Sequence, residues 1–225
     1  MKLSLLALAV MLLAGCANVG ASFKEWPVPG KAELSSTGRN SYFILEPGYQ
    51  LTLETKSGDR LVITVLNETK TVDGVETRII EERETVGGKQ VEVSRNYFAI
   101  SLTSHDVFYF GEDVDTYKNG TVTGHGGSWL AGVNGAHAGL IMPGQPQKGM
   151  RFLQEVAPKV AMDQCEVVST SESVSTPAGN FTGCLKMADS SAMEPGAPET
   201  KLYGPGVGLL VEEDYRLVKY GPAGR

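Results

Sequence analysis

The feature that most restricts the fold of this chain is a series of strand-like runs separated by glycine-containing dipeptides. Asp73-Gly74, Gly87-Gly88 and Asn119-Gly120 each stand between two such runs. Dipeptides of this kind supply the positive φ angles that two-residue hairpin turns require. The pattern therefore predicts long antiparallel strands that pair with their neighbours in the chain.

The rest of the chain after residue 41 follows the same pattern. Residues 49–55 alternate between apolar and polar, while residues 61–66 are apolar and β-branched on both faces, as in a central strand. No segment keeps a 3.6-residue period for more than about two turns. We therefore predict one all-β domain, 41–225, folded as a curved antiparallel meander or open half-barrel of about ten strands.

The segment 124–149 has a different composition, since eight of its 26 residues are glycine. Such a composition disfavours the interiors of helices and strands, and ordered loops of this length usually have a function. We expect a flap that lies across one face of the sheet. Aromatic and thioether side chains around it predict an apolar binding site formed by Trp129, Tyr109 and Met142.

The N-terminus has the features of an export signal. Lys2 precedes an apolar run, residues 3–14, that is too short to span a bilayer, and the run ends in Leu13-Ala14-Gly15-Cys16. This ending resembles a bacterial lipobox, which implies removal of residues 1–15 and lipidation of Cys16. The alternative is an ordinary secretory signal that is cut elsewhere.

The residues after Cys16 bear on where such an anchor would place the protein. Residues 16–40 are predicted to be a lipid-anchored tether, because 17–40 contain few apolar residues and no regular period. Ala17 is not the Asp that retains enterobacterial lipoproteins in the inner membrane, so the resemblance implies the outer membrane, facing the periplasm. The net charge of −6 argues against nucleic acid as a partner.

Two cysteines remain after Cys16 is assigned to the lipid. Cys165 and Cys184 are an even pair in an exported chain, and their segments are predicted to be neighbouring strands. We therefore expect a Cys165–Cys184 disulfide. A buried reduced pair and a soft-metal site are the alternatives.

Two groups of residues suggest a metal site. Asp113 and Asp115 share one face of a predicted strand and could bind Ca²⁺. His125 and His137 lie in the glycine-rich segment, where with Glu112 or a thioether they could bind Zn²⁺ or copper. Their spacing matches no standard zinc motif.

The chain contains no recognisable catalytic motif. In Gly126-Gly127-Ser128-Trp129-Leu130, leucine stands where a nucleophile elbow requires glycine. We therefore predict a non-enzymatic protein without a cofactor.

A stretch near the C-terminus resembles a known family. The residues 175–181, 184–186 and 202–209 (STPAGNF, CLK and LYGPGVGL) are similar to the C-terminal half of TapB-like bacterial envelope proteins. This resemblance implies a β-rich fold and no particular chemistry. By its predicted architecture and anchor the chain is also similar to carriers of the LolA/LolB type.

Two functions follow from these observations as hypotheses. The first is a lipid-anchored envelope protein that binds an apolar ligand or a protein partner under the glycine-rich flap. The alternative is a metal-binding or metal-dependent envelope protein that uses His125 and His137 with nearby carboxylates to hold Zn, Cu or Ca.

Overall fold

A computed structural model of the protein describes residues 22–193 and 196–224. The predicted signal peptide and the predicted lipidation site at Cys16 lie outside these residues. The described part is almost entirely β-structure, as predicted, with one 3₁₀ turn at Lys31–Glu33. None of its helical structure is long and apolar enough to cross a membrane.

The described residues form more strands than the predicted ten, because several segments add short strands at the margins of the sheet. In chain order they are β1 (Leu34–Ser35), β2 (Gly38–Arg39), β3 (Ile44–Leu45), β4 (Tyr49–Glu54), β5 (Arg60–Val72), β6 (Val75–Val86), β7 (Lys89–Ser101), β8 (Val107–Lys118), β9 (Thr121–Gly124), β10 (Trp129–Leu130), β11 (His137–Met142), β12 (Arg151–Leu153), β13 (Glu155–Val156), β14 (Asp163–Thr176), β15 (Gly179–Ser191), β16 (Glu199–Gly204), β17 (Gly208–Glu212) and β18 (Tyr215–Pro222).

The main sheet curls into a nearly closed barrel. Its strands follow the order β12-β14-β15-β16-β17-β18-β4-β5-β6-β7-β8-β11-β13, and each pair is antiparallel. The two terminal strands, β12 and β13, are separated in the chain by Gln154 alone. The N–H of Gln154 donates to the carbonyl of Asp163 at the start of β14 (2.8 Å). The two edges of the sheet therefore meet at this residue.

The predicted hairpin turns are confirmed. Asp73 and Gly74 have φ angles of 47° and 73°, and Asn119 and Gly120 have φ angles of 54° and 79°. Gly87 and Gly88 also lie in the left-handed region. Each dipeptide joins two paired strands directly, which gives the tight local meander of β5 to β9.

The N-terminal segment packs against the barrel and, over its described part, is not a free tether. The N–H of Leu153 donates to the carbonyl of Lys24 (2.9 Å), and β1 pairs with the end of β7. Asn40 is only 2% exposed, because its amide donates to the carbonyls of His105 and Pro143. This docking could not be predicted from the sequence, because the segment contacts the barrel through backbone groups and one buried amide, which leave no periodic pattern.

Residues 40–45 then cross one end of the barrel. The carbonyl of Ser41 accepts the N–H of Gly206 (2.7 Å), and the hydroxyl of Tyr42 donates to the carbonyl of Gly183 (3.0 Å). The Phe43 ring packs edge-on against Phe98 (5.1 Å between centroids). We call residues 40–45 the cross-segment, and it closes this end of the barrel with apolar side chains.

The glycine-rich segment is part of the sheet rather than a separate flap. Its strands β10 and β11 both pair with β8, and Leu140 and Met142 are buried. Here glycine permits close backbone approach, since a Cβ at Gly139 would lie 2.6 Å from the carbonyl oxygen of Gln154. The high glycine content, which is typical of a loop, here allows strands to pack closely against each other.

The predicted Cys165–Cys184 disulfide is wrong. The two residues lie on adjacent strands, as expected, but Cys165 faces Asp189 and Cys184 faces Glu172. Six residues of β14 therefore lie between the two positions, which are about 20 Å apart along the strand, whereas a disulfide needs Cα atoms within about 7 Å. Both thiols are free and buried, in two separate apolar clusters.

Candidate functional site: the barrel cavity

The barrel encloses a cavity of about 340 Å³. Side chains from the cross-segment and from strands on all sides of the barrel line it. Apolar and aromatic groups form much of the wall, and they include Phe43, Ile44, Tyr49, Leu51, Ile63, Val65, Ile80, Phe98, Tyr109, Ile141, Tyr203, Val207 and Leu209. The remaining wall is polar and contains six carboxyl groups: Glu82, Glu92, Glu112, Glu155, Asp163 and Glu212.

Strand alternation explains how polar side chains come to lie inside the barrel. Successive side chains point to opposite faces of a strand, so Glu92, Ser94, Asn96 and Phe98 of β7 all face the cavity. Along this strand the inward face changes from acidic to amide to aromatic. Glu92 lies near the hairpin turn at 87–88, and Phe98 lies against the cross-segment. The cavity is therefore acidic towards one end of the barrel and apolar towards the other.

Neighbouring strands continue the acidic region around the wall. Glu82 on β6 is paired in register with Ser94, and Glu112 on β8 is paired with Asn96. The hydroxyl of Tyr109 donates to the amide oxygen of Asn96 (2.8 Å). Carboxyl, amide and phenol groups thus converge on the same part of the cavity.

Three of these carboxyl groups have strongly raised pKa values. Burial raises the pKa of Glu82 to about 7 and that of Glu112 to about 7. Burial and the nearby Asp163 carboxylate raise the pKa of Glu155 to about 8. Raised carboxyl pKa values that combine desolvation with nearby charges in a cavity are typical of functional sites.

The cavity contains one basic side chain, Lys201. Its ammonium lies 2.7 Å from the carboxylate of Glu212 and 3.5 Å from that of Asp189. Although burial opposes its charge, these carboxylates keep the pKa of Lys201 well above its ordinary value. The positive charge of Lys201 is therefore already balanced, and the other carboxyl groups of the cavity have no cationic partner among the described residues.

The structure separates the three residues that were predicted to bind an apolar ligand. Tyr109 lines the barrel cavity, whereas Met142 is 1% exposed and belongs to the core. Trp129 packs edge-on against Tyr109 (5.2 Å) and lines a second cavity of about 250 Å³ with Val133 and Val160. Its buried indole N–H has no hydrogen-bond partner in the described part of the chain.

Of the predicted metal ligands, the structure brings only Asp115 and His125 into direct contact. Glu112 faces the cavity, while Asp113, the next residue, points away from it and pairs with Lys70 (2.9 Å). Although burial opposes ionisation of Asp113, hydrogen bonds from Tyr97 and Lys70 hold its pKa below the ordinary value. The ammonium of Lys70, rather than a metal ion, therefore balances this carboxylate.

The other three predicted ligands also have partners within the protein. Asp115 lies 2.9 Å from His125 and 3.6 Å from Arg95, and His137 lies 4.0 Å from Glu25. Within residues 22–193 and 196–224, no group of three or more His, Cys, Asp or Glu side chains is arranged to hold a metal ion.

The sequence pattern did not predict most of the cavity carboxyl groups as site residues. In a strand with charged residues at alternate positions, the charged face is normally assigned to solvent. Glu92 fits that pattern, since it stands between Val91 and Val93, whereas Glu82 and Glu212 stand in the charged runs 81–84 and 212–214. Neither pattern shows which face of a curved sheet is concave. The signal that was present is the polar series Glu92, Ser94 and Asn96 on one face of a long strand.

Comparison with known proteins found no matching family model, no matching curated protein and no matching solved structure.

Proposed function

We propose that this protein is a non-enzymatic, lipid-anchored protein of the bacterial cell envelope that binds a small ligand inside its barrel. The observation that carries this proposal is the cavity of about 340 Å³ with apolar walls and a convergent set of polar groups. Binding sites for small molecules are concave, mostly apolar and supplied with a few placed polar groups. The proposed anchor at Cys16 and the location at the outer membrane, facing the periplasm, are supported by the sequence alone.

The position of the cavity favours a ligand inside the barrel over one held beneath the glycine-rich segment. That segment is fixed to β8 by two short strands, so it does not form a separate cover. A metal-dependent function receives no support from the geometry, because only Asp115 and His125 of the predicted ligands lie together and the described residues contain no group of three or more ligands arranged to hold a metal ion.

A cavity-filling variant tests the proposal. Ser94 is buried and faces the cavity, so Ser94→Phe adds a ring to the space that the ligand would occupy. Ser171→Phe is the matched control, because Ser171 is exposed on β14. The purified full-length proteins are extracted with organic solvent, and the extracts are analysed by mass spectrometry.

We expect a co-purifying small molecule with the wild-type protein and with Ser171→Phe, and at least a tenfold loss of it with Ser94→Phe. Circular dichroism shows whether both variants remain folded. Equal amounts of the molecule in a folded Ser94→Phe protein would contradict the proposal, and so would empty extracts from all three proteins.

A further inference from the structure

The barrel cavity has more acidic groups than basic groups. It contains six carboxyl groups and one ammonium group, and Lys201 is already paired with Glu212 and Asp189. Buried charges in proteins are normally paired or coordinate a cation. When the other carboxyl groups ionise, they therefore need a cation that the described residues do not supply.

Two carboxyl groups show this lack of a cationic partner most clearly. Glu82 lines the cavity and makes no hydrogen bond or ion pair with any described residue. Glu155 is only 2% exposed. One of its oxygens accepts the N–H of Asp163 (2.5 Å), and the other has no partner in the described part of the chain. An acceptor that lines the cavity in this way is available to a donor on a ligand.

The rest of the wall indicates what kind of cation would fit. The rings of Phe98 and Tyr109 are stacked, with centroids 4.9 Å apart, and Val65 and Ile80 line the same cavity. A bare metal ion would leave these apolar groups uncovered. An organic ammonium group would satisfy the carboxylates, while its carbon skeleton covers the apolar wall, and aromatic faces also attract cations.

We propose that the ligand of the barrel cavity is an organic cation, namely an ammonium group on an apolar body. The ammonium is placed among Glu82, Glu112 and Glu155, and the body lies against Phe98, Ile80 and Val65. This inference rests on the proposed binding function and specifies its ligand class. The raised pKa values of the three carboxyl groups agree with it, because burial raises each of them and no ion pair with a described residue offsets that effect; only Glu82 has a cation, Lys201, near enough to lower its pKa in part.

Three probes of nearly equal shape test the charge preference. They are 2-phenylethylammonium, the neutral 2-phenylethanol and the anionic 3-phenylpropanoate. Binding of each to the full-length protein is measured by isothermal titration calorimetry at pH 8.5, where the cavity carboxyl groups are largely ionised. We expect the ammonium to bind at least tenfold more tightly than the alcohol, and the carboxylate not to bind.

Matched variants show which carboxyl groups bind the ammonium group. Glu112→Gln and Glu82→Gln remove one negative charge each from the cavity with little change of shape. Glu68→Gln is the control, because Glu68 is an exposed residue of β5 that does not line the cavity. We expect each cavity variant to weaken binding of the ammonium at least tenfold and to leave binding of the alcohol unchanged, while the control changes neither.

The outcomes separate this inference from the function on which it rests. If the ammonium and the alcohol bind equally well, the ligand is not selected by charge, although the cavity still binds ligands. If the cavity variants change ammonium binding no more than Glu68→Gln does, the ammonium lies elsewhere and the inference is overturned. If no probe binds and the organic extracts are empty, both proposals are wrong.

Discussion

At the scale of single residues, the buried carboxyl groups link the charge of the cavity to the stability of the fold. Glu82 has a pKa of about 7 in the folded protein, compared with an ordinary value of 4.5. Between these values the folded state binds more protons than the unfolded state. Stability from this group is therefore fully present below pH 4.5 and is lost as the pH rises through 7.

Replacement of Glu82 tests this link. We expect the free energy of unfolding of the wild-type protein to fall between pH 6 and pH 8.5. Glu82→Gln should reduce that fall by about 1.4 kcal/mol, since pH 6 lies one unit below the folded pKa and one pKa unit corresponds to about 1.4 kcal/mol. Urea denaturation at several pH values measures the difference. Glu68→Gln is the control, and an equal pH dependence in Glu82→Gln and wild type would show that Glu82 titrates normally.

At the scale of structural elements, the cross-segment determines which end of the barrel is closed. Asn40 holds it in place by donating to two carbonyl groups from different loops, those of His105 (2.9 Å) and Pro143 (2.8 Å). A side chain that links residues so distant in the chain restrains the β7–β8 loop and the glycine-rich segment together.

Removal of the Asn40 amide should loosen this closed end. We expect Asn40→Ala to lower the free energy of unfolding by about 1–3 kcal/mol, because it leaves buried carbonyl groups without donors. Thermal and urea denaturation measure the change. Asn180→Ala, at an exposed position of β15, should be within about 0.5 kcal/mol of wild type. Similar stabilities of the two variants would mean that the other contacts of the cross-segment hold it in place without the Asn40 amide.

The strands and tight turns could be predicted from local sequence, whereas their partners and the cavity could not. Asp73-Gly74 specifies its hairpin because the two residues themselves adopt the required φ angles. The bulges in β14 and β15 leave no clear sequence signal, but they move the partner of Cys165 by only one residue, to Asp189. The offset between Cys165 and Cys184 follows from their unequal distances to the turn at 177–178. Glu82 was missed because its inward direction depends on the curvature of the whole sheet.

At the scale of the whole molecule, the barrel and the proposed anchor have separate roles. If Cys16 carries the lipid, its replacement by alanine should release a folded protein into the soluble fraction. Cell fractionation and immunoblotting measure the distribution, and circular dichroism shows the fold. A Cys16→Ala protein that stays with the membrane would indicate a second attachment surface, and the exposed Val133 and Val160 beside the second cavity would be the first residues to replace.

The docking of Lys24 beside β12 has a consequence for where the protein can work. Only eight residues of chain run from Cys16 to this contact with the barrel, and a fully extended chain of that length spans at most about 28 Å. A lipid at Cys16 would then keep the barrel within one protein diameter of the bilayer. The ligand would be captured and released in the layer of solvent next to the lipid headgroups, and a partner on the far side of the periplasm would have to come to it.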